Sequence, residues 1–341
     1  SIILRDFNGD GYPDIFMSSR VKAMDYGYPA DSYVLYNTGD GHFKNVTNTM
    51  APFLEKIGFI TNAVEADINQ DGQKEIIITH QWGGIEVLFP NAKKWQKGVV
   101  TKLPGWWNFT LPVDVDGDGD LDLIAGNLGL NTRLKANQEE PIRMYYNDFD
   151  DNGKAEQIVT FYLQGKEIPF ANKDELQRQI PKIKKKYLYA EDFAKAKLAD
   201  IFTQEKLKSA KQYLAYHFSN TLFINDGKGN FTPKVLPIEA QMTAYKCAQI
   251  CDVNGDGLAD VMMMGNFYDN NVQMGRYDAD YGTILLNKGK GDFEVVPFNG
   301  LVIKGQVRRL APIQIGSQNA FVLAMNSDSL RVIQFNKLGN K

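Results

Sequence analysis

The stretch that decides the fold is Asp114-Val115-Asp116-Gly117-Asp118-Gly119-Asp120-Leu121-Asp122, nine residues with a carboxylate at every second position. It fits the pattern D-x-[DN]-x-[DN]-G-x-x-[DE]. Four other stretches fit the same pattern: 6–14, 67–75, 148–156 and 252–260. The starts are separated by 61, 47, 34 and 104 residues, so one unit recurs with insertions of different size.

The surroundings of each stretch repeat as well. Behind each comes a short β-rich run: Ile15 to Met17, Ile76 to Ile78, Leu121 to Ile124, Ile158-Val159 and Val261 to Met264. These runs are too short for helices and read as buried strands. A second signature follows in three units, at 33–43, 222–231 and 284–293. Each is a strand, a Gly-rich turn and a returning strand, hence a hairpin. One unit is then strand, Asp-rich loop, strand and hairpin: four antiparallel strands, or one propeller blade. Residues 308–335 keep the strand pattern, but Ile315-Gly316-Ser317-Gln318-Asn319 stands where the acidic loop is due. The expected fold class is all-β: a β-propeller of about six to seven four-stranded blades, forming a single domain over 1–341. Unit 3 lacks an obvious outer hairpin, and the terminal blade is expected to draw strands from both chain ends.

Residues 172–216 break the β pattern. Apolar positions at Phe193, Ala196, Leu198, Ile201, Leu207, Ala210 and Leu214 have helical spacing, with charged residues between them. Residues 173–213 hold eleven basic and six acidic side chains. The segment reads as a helical insertion within unit 4 that lies over one face of the propeller.

Hydrophobic residues make up 43% and charged residues 23% of the 341, which supports a packed core and argues against disorder. A net charge of −3 speaks against a nucleic-acid or anionic-membrane binder. No apolar run is long enough to serve as a transmembrane segment. The chain opens without Met and runs straight into Asp6, which suggests a piece of a longer parent chain with other domains. Cys247 and Cys251 lie four apart on one expected strand, roughly 13 Å between Cα atoms and too far to bridge. Both point to one face and read as buried free thiols.

The loops carry the chemistry. Calcium takes six to eight hard oxygen ligands in a tolerant geometry, and alternate residues of a curled loop aim their oxygens at one centre. Positions 1, 3, 5 and 9 offer side chains, and position 7 offers its backbone carbonyl. The candidate ligands are Asp6, Asn8, Asp10, Tyr12 and Asp14; Asp67, Asn69, Asp71, Gln73 and Glu75; and Asp114, Asp116, Asp118, Asp120 and Asp122. The remaining two sets are Asp148, Asp150, Asn152, Lys154 and Glu156, and Asp252, Asn254, Asp256, Leu258 and Asp260. The closing acid at position 9 leads into a strand, whereas an EF-hand closes at position 12 before a helix. Carboxylates as crowded as those of the third loop repel one another unless a cation or protons intervene. About four to five calcium ions per chain are expected. Gln70 and Asp151 replace Gly at position 4, so the second and fourth sites are expected to be weaker.

These residues resemble the FG-GAP or VCBS repeat family, whose integrin-α-like blades carry the same loops. The resemblance is nearest to secreted bacterial VCBS-repeat proteins related to cartilage acidic protein, through Gly126 to Asn131, Asp148 to Gly153 and Gly265 to Phe267. It implies a propeller, structural calcium and an extracytoplasmic setting: secreted, periplasmic or at the cell surface. Fold alone does not fix activity. No catalytic cluster and no cofactor-binding motif other than the metal loops stand out. The leading expectation is therefore a non-catalytic, calcium-stabilised binding or scaffolding module with a glycan or protein ligand. The alternative is a carbohydrate-active enzyme, a polysaccharide lyase or hydrolase. Trp82-Gly83-Gly84 and Trp106-Trp107 could stack on sugar rings or simply pack strand ends. Glu65, Glu86 and Glu239 are acids outside the loops with no interpretable spacing.

Overall fold

Each Asp-rich loop closes a β-hairpin. In the computed structural model, which describes residues 1–271, 274–298 and 300–335, β1 (Ile2–Arg5) enters the first loop and β2 (Asp14–Met17) returns antiparallel, Arg5 opposite Asp14. β3 (Tyr33–Asn37) and β4 (Phe43–Asn45) complete a sheet of order β1-β2-β3-β4. α1 (Thr47–Met50) leads to a second sheet of β5 (Phe59–Ala66), the long β6 (Glu75–Phe89) and β7 (Gln96–Trp106).

The third sheet opens with β8 (Phe109–Val113) and β9 (Asp122–Gly126) and is then interrupted. Residues 127–220 leave to build a sheet of their own. β10 (Ile142–Asn147), β11 (Glu156–Leu163) and β12 (Lys166–Pro169) come first. Five short helices follow: α2 (Lys173–Gln179), α3 (Lys182–Lys186), α4 (Ala190–Lys195), α5 (Leu198–Ile201) and α6 (Gln204–Ser209). β13 (Lys211–Ala215) then pairs with β10, giving the order β12-β11-β10-β13. Only afterwards do β14 (Thr221–Asn225) and β15 (Phe231–Val235) complete the third sheet, Thr221 opposite Ala125.

Two sheets remain. β16 (Tyr245–Cys251), β17 (Asp260–Gly265), β18 (Thr283–Asn287) and β19 (Phe293–Pro297) form one; β20 (Val307–Ile315), β21 (Gln318–Met325) and β22 (Arg331–Gln334) form the other.

The core follows from the two-residue period of the strands. Ile76 and Ile78 pack with Phe16 and Val34 of the first sheet, while Ile77 between them packs with Leu123, Ala125 and Phe223 of the third. Ile124 and Leu222 face Val261, Met263 and Leu285; Met262 and Met264 face Val307, Phe321 and Leu323. β9 and β17 are buried at every position because both faces are covered. Each such side chain contributes about 1.5–3 kcal/mol of burial. Five sheets thus stack face to face in chain order.

The all-β class holds, with six antiparallel sheets among the described residues, but the details differ from expectation. Four sheets have four strands and two have three. Among the described residues no apolar cluster joins the first sheet to the last, and no strand pairs the two chain ends. The outer hairpin missing from unit 3 is β14–β15, displaced by the insertion. Unit 4 is therefore not a successive blade but a sheet inserted into unit 3, and its helices cover that sheet. Tyr145, Phe149 and Ile158 share one cluster with Leu176, Phe193 and Phe202. The helical periodicity through Leu214 overshoots: the helix ends at Ser209, and residues 211–215 gain a full ladder against β10.

Candidate metal centres and a cationic cavity

Within the loops, the first and last acids are held by backbone amides. Asp6 accepts from Gly9 at 2.7 Å and Gly11 at 2.8 Å, which holds its carboxyl below the usual range. The same amides do so for Asp148, led by Gly153 at 2.8 Å. The closing acids Asp14, Glu75, Asp122, Glu156 and Asp260 are all buried. In every loop the closing acid accepts the amide of position 2: Phe7 at 2.9 Å, Ile68 at 3.0 Å, Val115 at 3.1 Å, Phe149 at 2.8 Å and Val253 at 2.9 Å.

Position 4 needs a left-handed backbone. Gly9, Gly117 and Gly255 sit at φ near +80°, and Gln70 (φ +58°) and Asp151 (φ +61°) adopt the same strained region. Their side chains gain contacts there. Gln70 donates to the Gly119 carbonyl of the third loop at 3.2 Å, and Asp151 pairs with Lys206 of α6.

The structure brings the acids at positions 1, 3 and 9 together in two loops. Asp114, Asp116 and Asp122, and likewise Asp148, Asp150 and Glu156, place carboxylate oxygens within 4.8 Å of one another. The other loops have Asn8, Asn69 and Asn254 at position 3, each donating to the position-5 carboxylate. No third cluster of this kind occurs among the described residues. At position 7, Tyr12, Gln73, Lys154 and Leu258 are exposed, whereas Asp120 turns inward and is buried.

The two clusters have the electrostatics of cation sites. Burial, reinforced by Asp118, Asp122 and Asp116, pushes Asp120 up to about 6. Burial also raises Asp116, Asp122, Glu75 and Glu156, each with neighbouring carboxylates adding to it. Asp120 Oδ1 and Asp150 Oδ1 are buried with no hydrogen-bond donor. An oxygen in that state costs free energy unless a cation meets it.

A structural residue that the motif reading passed over is the hairpin Asn. Asn37, Asn225 and Asn287 end β3, β14 and β18, and each gives its amide to the second oxygen of the closing acid, at 2.8 Å in all three cases. The side chains of Asn225 and Asn287 reach further. Asn225 Nδ2 donates to Ile68 O at 2.8 Å and Asn287 Nδ2 to Val115 O at 3.0 Å, each in the loop of the preceding sheet in the stack. The signal was present as Asn-x-Gly-x-Gly in all three hairpins.

Away from the loops, the starts of β8, β16 and β20 and the loop after β2 surround a cavity of about 550 Å³. Val159 and Phe170 of the inserted sheet region also line it. Its walls include Trp82, Trp106, Phe267 and Tyr277, so the two Trp motifs do meet, and Trp107 packs behind them fully buried. Trp82 sits at φ +65° and donates to Tyr26 at 2.9 Å. Arg20, Lys246, Arg308 and Arg309 line the cavity; among the described lining residues there is no Asp or Glu. Glu65 and Glu86 lie outside it, paired with Arg5 and with His80 and Lys97 respectively.

A family model for FG-GAP-like repeats matches residues 6–78. That span runs from the first loop through the second and into β6. No curated protein matches the chain. Among solved structures it is similar to the V. cholerae biofilm matrix protein Bap1, at 11% identity, over 95% of this chain and 65% of that one, with a TM-score of 0.31. In the described residues no helix is long and apolar enough to cross a membrane.

Proposed function

We propose that this chain is a non-catalytic binding or scaffolding module that works outside the cytoplasm, its stacked sheets serving as propeller blades and its Asp-rich loops held by calcium. The observation that carries this reading is the recurrence of one acidic loop between the first two strands of five sheets, each with a buried closing acid. The FG-GAP-like match over the first two loops supports it. Asp114, Asp116, Asp118, Asp120 and Asp122 would hold one ion, and Asp148, Asp150, Asn152, Glu156 and the Lys154 carbonyl another; the loops beginning at Asp6, Asp67 and Asp252 would hold the rest through their Asp, Asn and closing acid side chains. Bound calcium would supply positive charge to clustered carboxylates and tie the first two strands of each of those five sheets. The ligand of the module is a glycan or a protein.

An enzyme acting on carbohydrate is the second reading, favoured by the tryptophans in the cavity. Hydrolysis by paired acids asks for two carboxyl groups about 5–10 Å apart across the bond. The cavity offers cations instead, which favours binding.

Thermal unfolding in calcium and in chelator, with metal analysis of the purified chain, tests the proposal. A ligand that binds only the folded state raises its stability by mass action. A clear fall in Tm with chelator and four to five calcium ions per chain are expected. An unchanged Tm and metal-free protein would overturn the calcium reading.

A further inference from the structure

We propose that the cavity lined by Trp106, Lys246 and Arg308 binds an acidic saccharide residue, its carboxylate against the cations and its ring against the tryptophans; this deepens the binding-module reading and rests on it. Size comes first. About 550 Å³ is far more than an inorganic anion needs and lies within the usual range for organic ligands. Charge comes second. Arg20, Lys246, Arg308 and Arg309 converge on one space, and none of them has an Asp or Glu within ion-pair distance among the described residues. Lys246 and Arg308 are partly buried and Arg20 and Arg309 sit at the exposed rim, and cations withdrawn from water without a carboxylate partner favour an anion brought from outside.

The side chains that accept hydrogen bonds from Lys246 and Arg308 are neutral. Lys246 Nζ donates to Asn108 Oδ1 at 2.7 Å and lies 5.4 Å from the Phe267 ring centroid. Arg308 donates to Gln306 Oε1 at 2.8 Å and lies 5.8 Å from the same ring. Burial, with Arg308 and Arg20 adding to it, lowers the Lys246 amine to about 7. A carboxylate placed beside it reverses that destabilisation.

The third observation is an aromatic wall. Trp82 and Trp106 both line the cavity and meet edge-on, centroids 5.2 Å apart. Thr61, Gln81 and Asn108 add neutral polar groups to the same space. A ligand with a carboxylate for the cations, a ring face for an aromatic wall and hydroxyls for neutral polar groups is a sugar acid. Inorganic anions lack the faces, and neutral sugars lack the charge.

The test is calorimetric titration of the calcium-saturated full chain with digalacturonate, galactose, sodium sulfate and indole-3-acetate. Saturable one-to-one binding of digalacturonate is expected, about tenfold or more tighter than any of the other three. Lys246→Met and Arg308→Gln should each weaken it about tenfold. Arg20→Gln and Arg309→Gln, both at exposed positions, probe the same charge without touching the core and should weaken it about threefold while flattening its salt dependence. No saturable uronide binding to calcium-loaded, folded protein would overturn this inference and leave the module reading standing. Equal binding of galactose, sulfate or indole-3-acetate would overturn it too. Chemical breakdown of bound digalacturonate would instead preserve the site and overturn the non-catalytic reading.

Discussion

Asn287 shows how much one side chain can organise. Its amide holds Asp260, and its Nδ2 reaches Val115 O of the third loop at 3.0 Å and Ala259 O at 3.2 Å, so removing the side chain strands two carbonyls beneath a buried residue. Asn287→Ala should cost about 1–3 kcal/mol by urea unfolding. Asn37→Ala, in the same motif but with its Nδ2 donating only to Pro13 O at 3.2 Å in an exposed setting and to no neighbouring sheet, should cost less than about 1 kcal/mol. Equal costs would show that the link between sheets is not what the Asn contributes. Lys246 gives a pH signature. Its amine falls from 10.5 to about 7 on folding, so the folded state releases a proton that the unfolded state keeps. Stability is then highest above the unfolded value and declines as pH falls, reaching a floor below about 7. The groups facing it do not cancel this: the charges of Arg308 and Arg20 add to it, and burial raises the Tyr26 and Tyr277 phenols and the Cys247 thiol. Lys246→Met should therefore raise Tm more at pH 6 than at pH 9. A pH-independent gain would refute the assigned shift.

At the scale of elements, the acidic loops and the strands behind them were legible because both follow short-range rules: Gly where φ must be positive, an acid every second residue, and an apolar run after the closing acid. What the sequence could not show was adjacency. β14 opposes β9 across 94 intervening residues, and nothing in Thr221 to Asn225 names Ala125 as its partner. The helical spacing through Leu214 was real but local, and the β10 ladder overrode it. The cavity was equally hidden, since Trp106, Lys246 and Arg308 come from three different sheets. The helices themselves are short, four to seven residues, and isolated helices of that length are marginal. α2 has a reciprocal side-chain capping box, in which Asn172 accepts from Glu175 at 3.0 Å and Glu175 answers at 3.0 Å, whereas α6 has a single longer cap, Thr203 accepting from Lys206 at 3.4 Å. Amide exchange followed by mass spectrometry should accordingly find 190–209 opening well before β9 and β17, whose residues are buried on both faces. Protection of 190–209 equal to that of β17 would mean that the helices belong to the cooperative core.

For the whole molecule, the question is whether the inserted sheet is a passenger or a part of the core. The clusters that join the five stacked sheets contain no residue from 130–217. One cluster does cross: Ile142, Met144 and Ala215 pack with Phe59, Trp82 and Ala244. The chain also leaves and returns at one place, since Gly129 N donates to Phe218 O at 2.8 Å. Replacing 130–217 by Asn-Gly should therefore close β9 to β14 with a short turn and leave the stack intact. Because the fourth loop lies in the excised piece, such a protein should bind one calcium ion fewer. It should unfold in a single transition at lower Tm, because the crossing cluster is cut and Trp82 is uncovered. It should also lose the uronide site, whose wall includes Val159 and Phe170, while retaining the remaining metal. Collapse of cooperative unfolding would place the inserted sheet in the core and make the stack depend on the one cluster that crosses into it. A folded protein with an unchanged calcium count would instead remove the fourth loop from the set of metal sites.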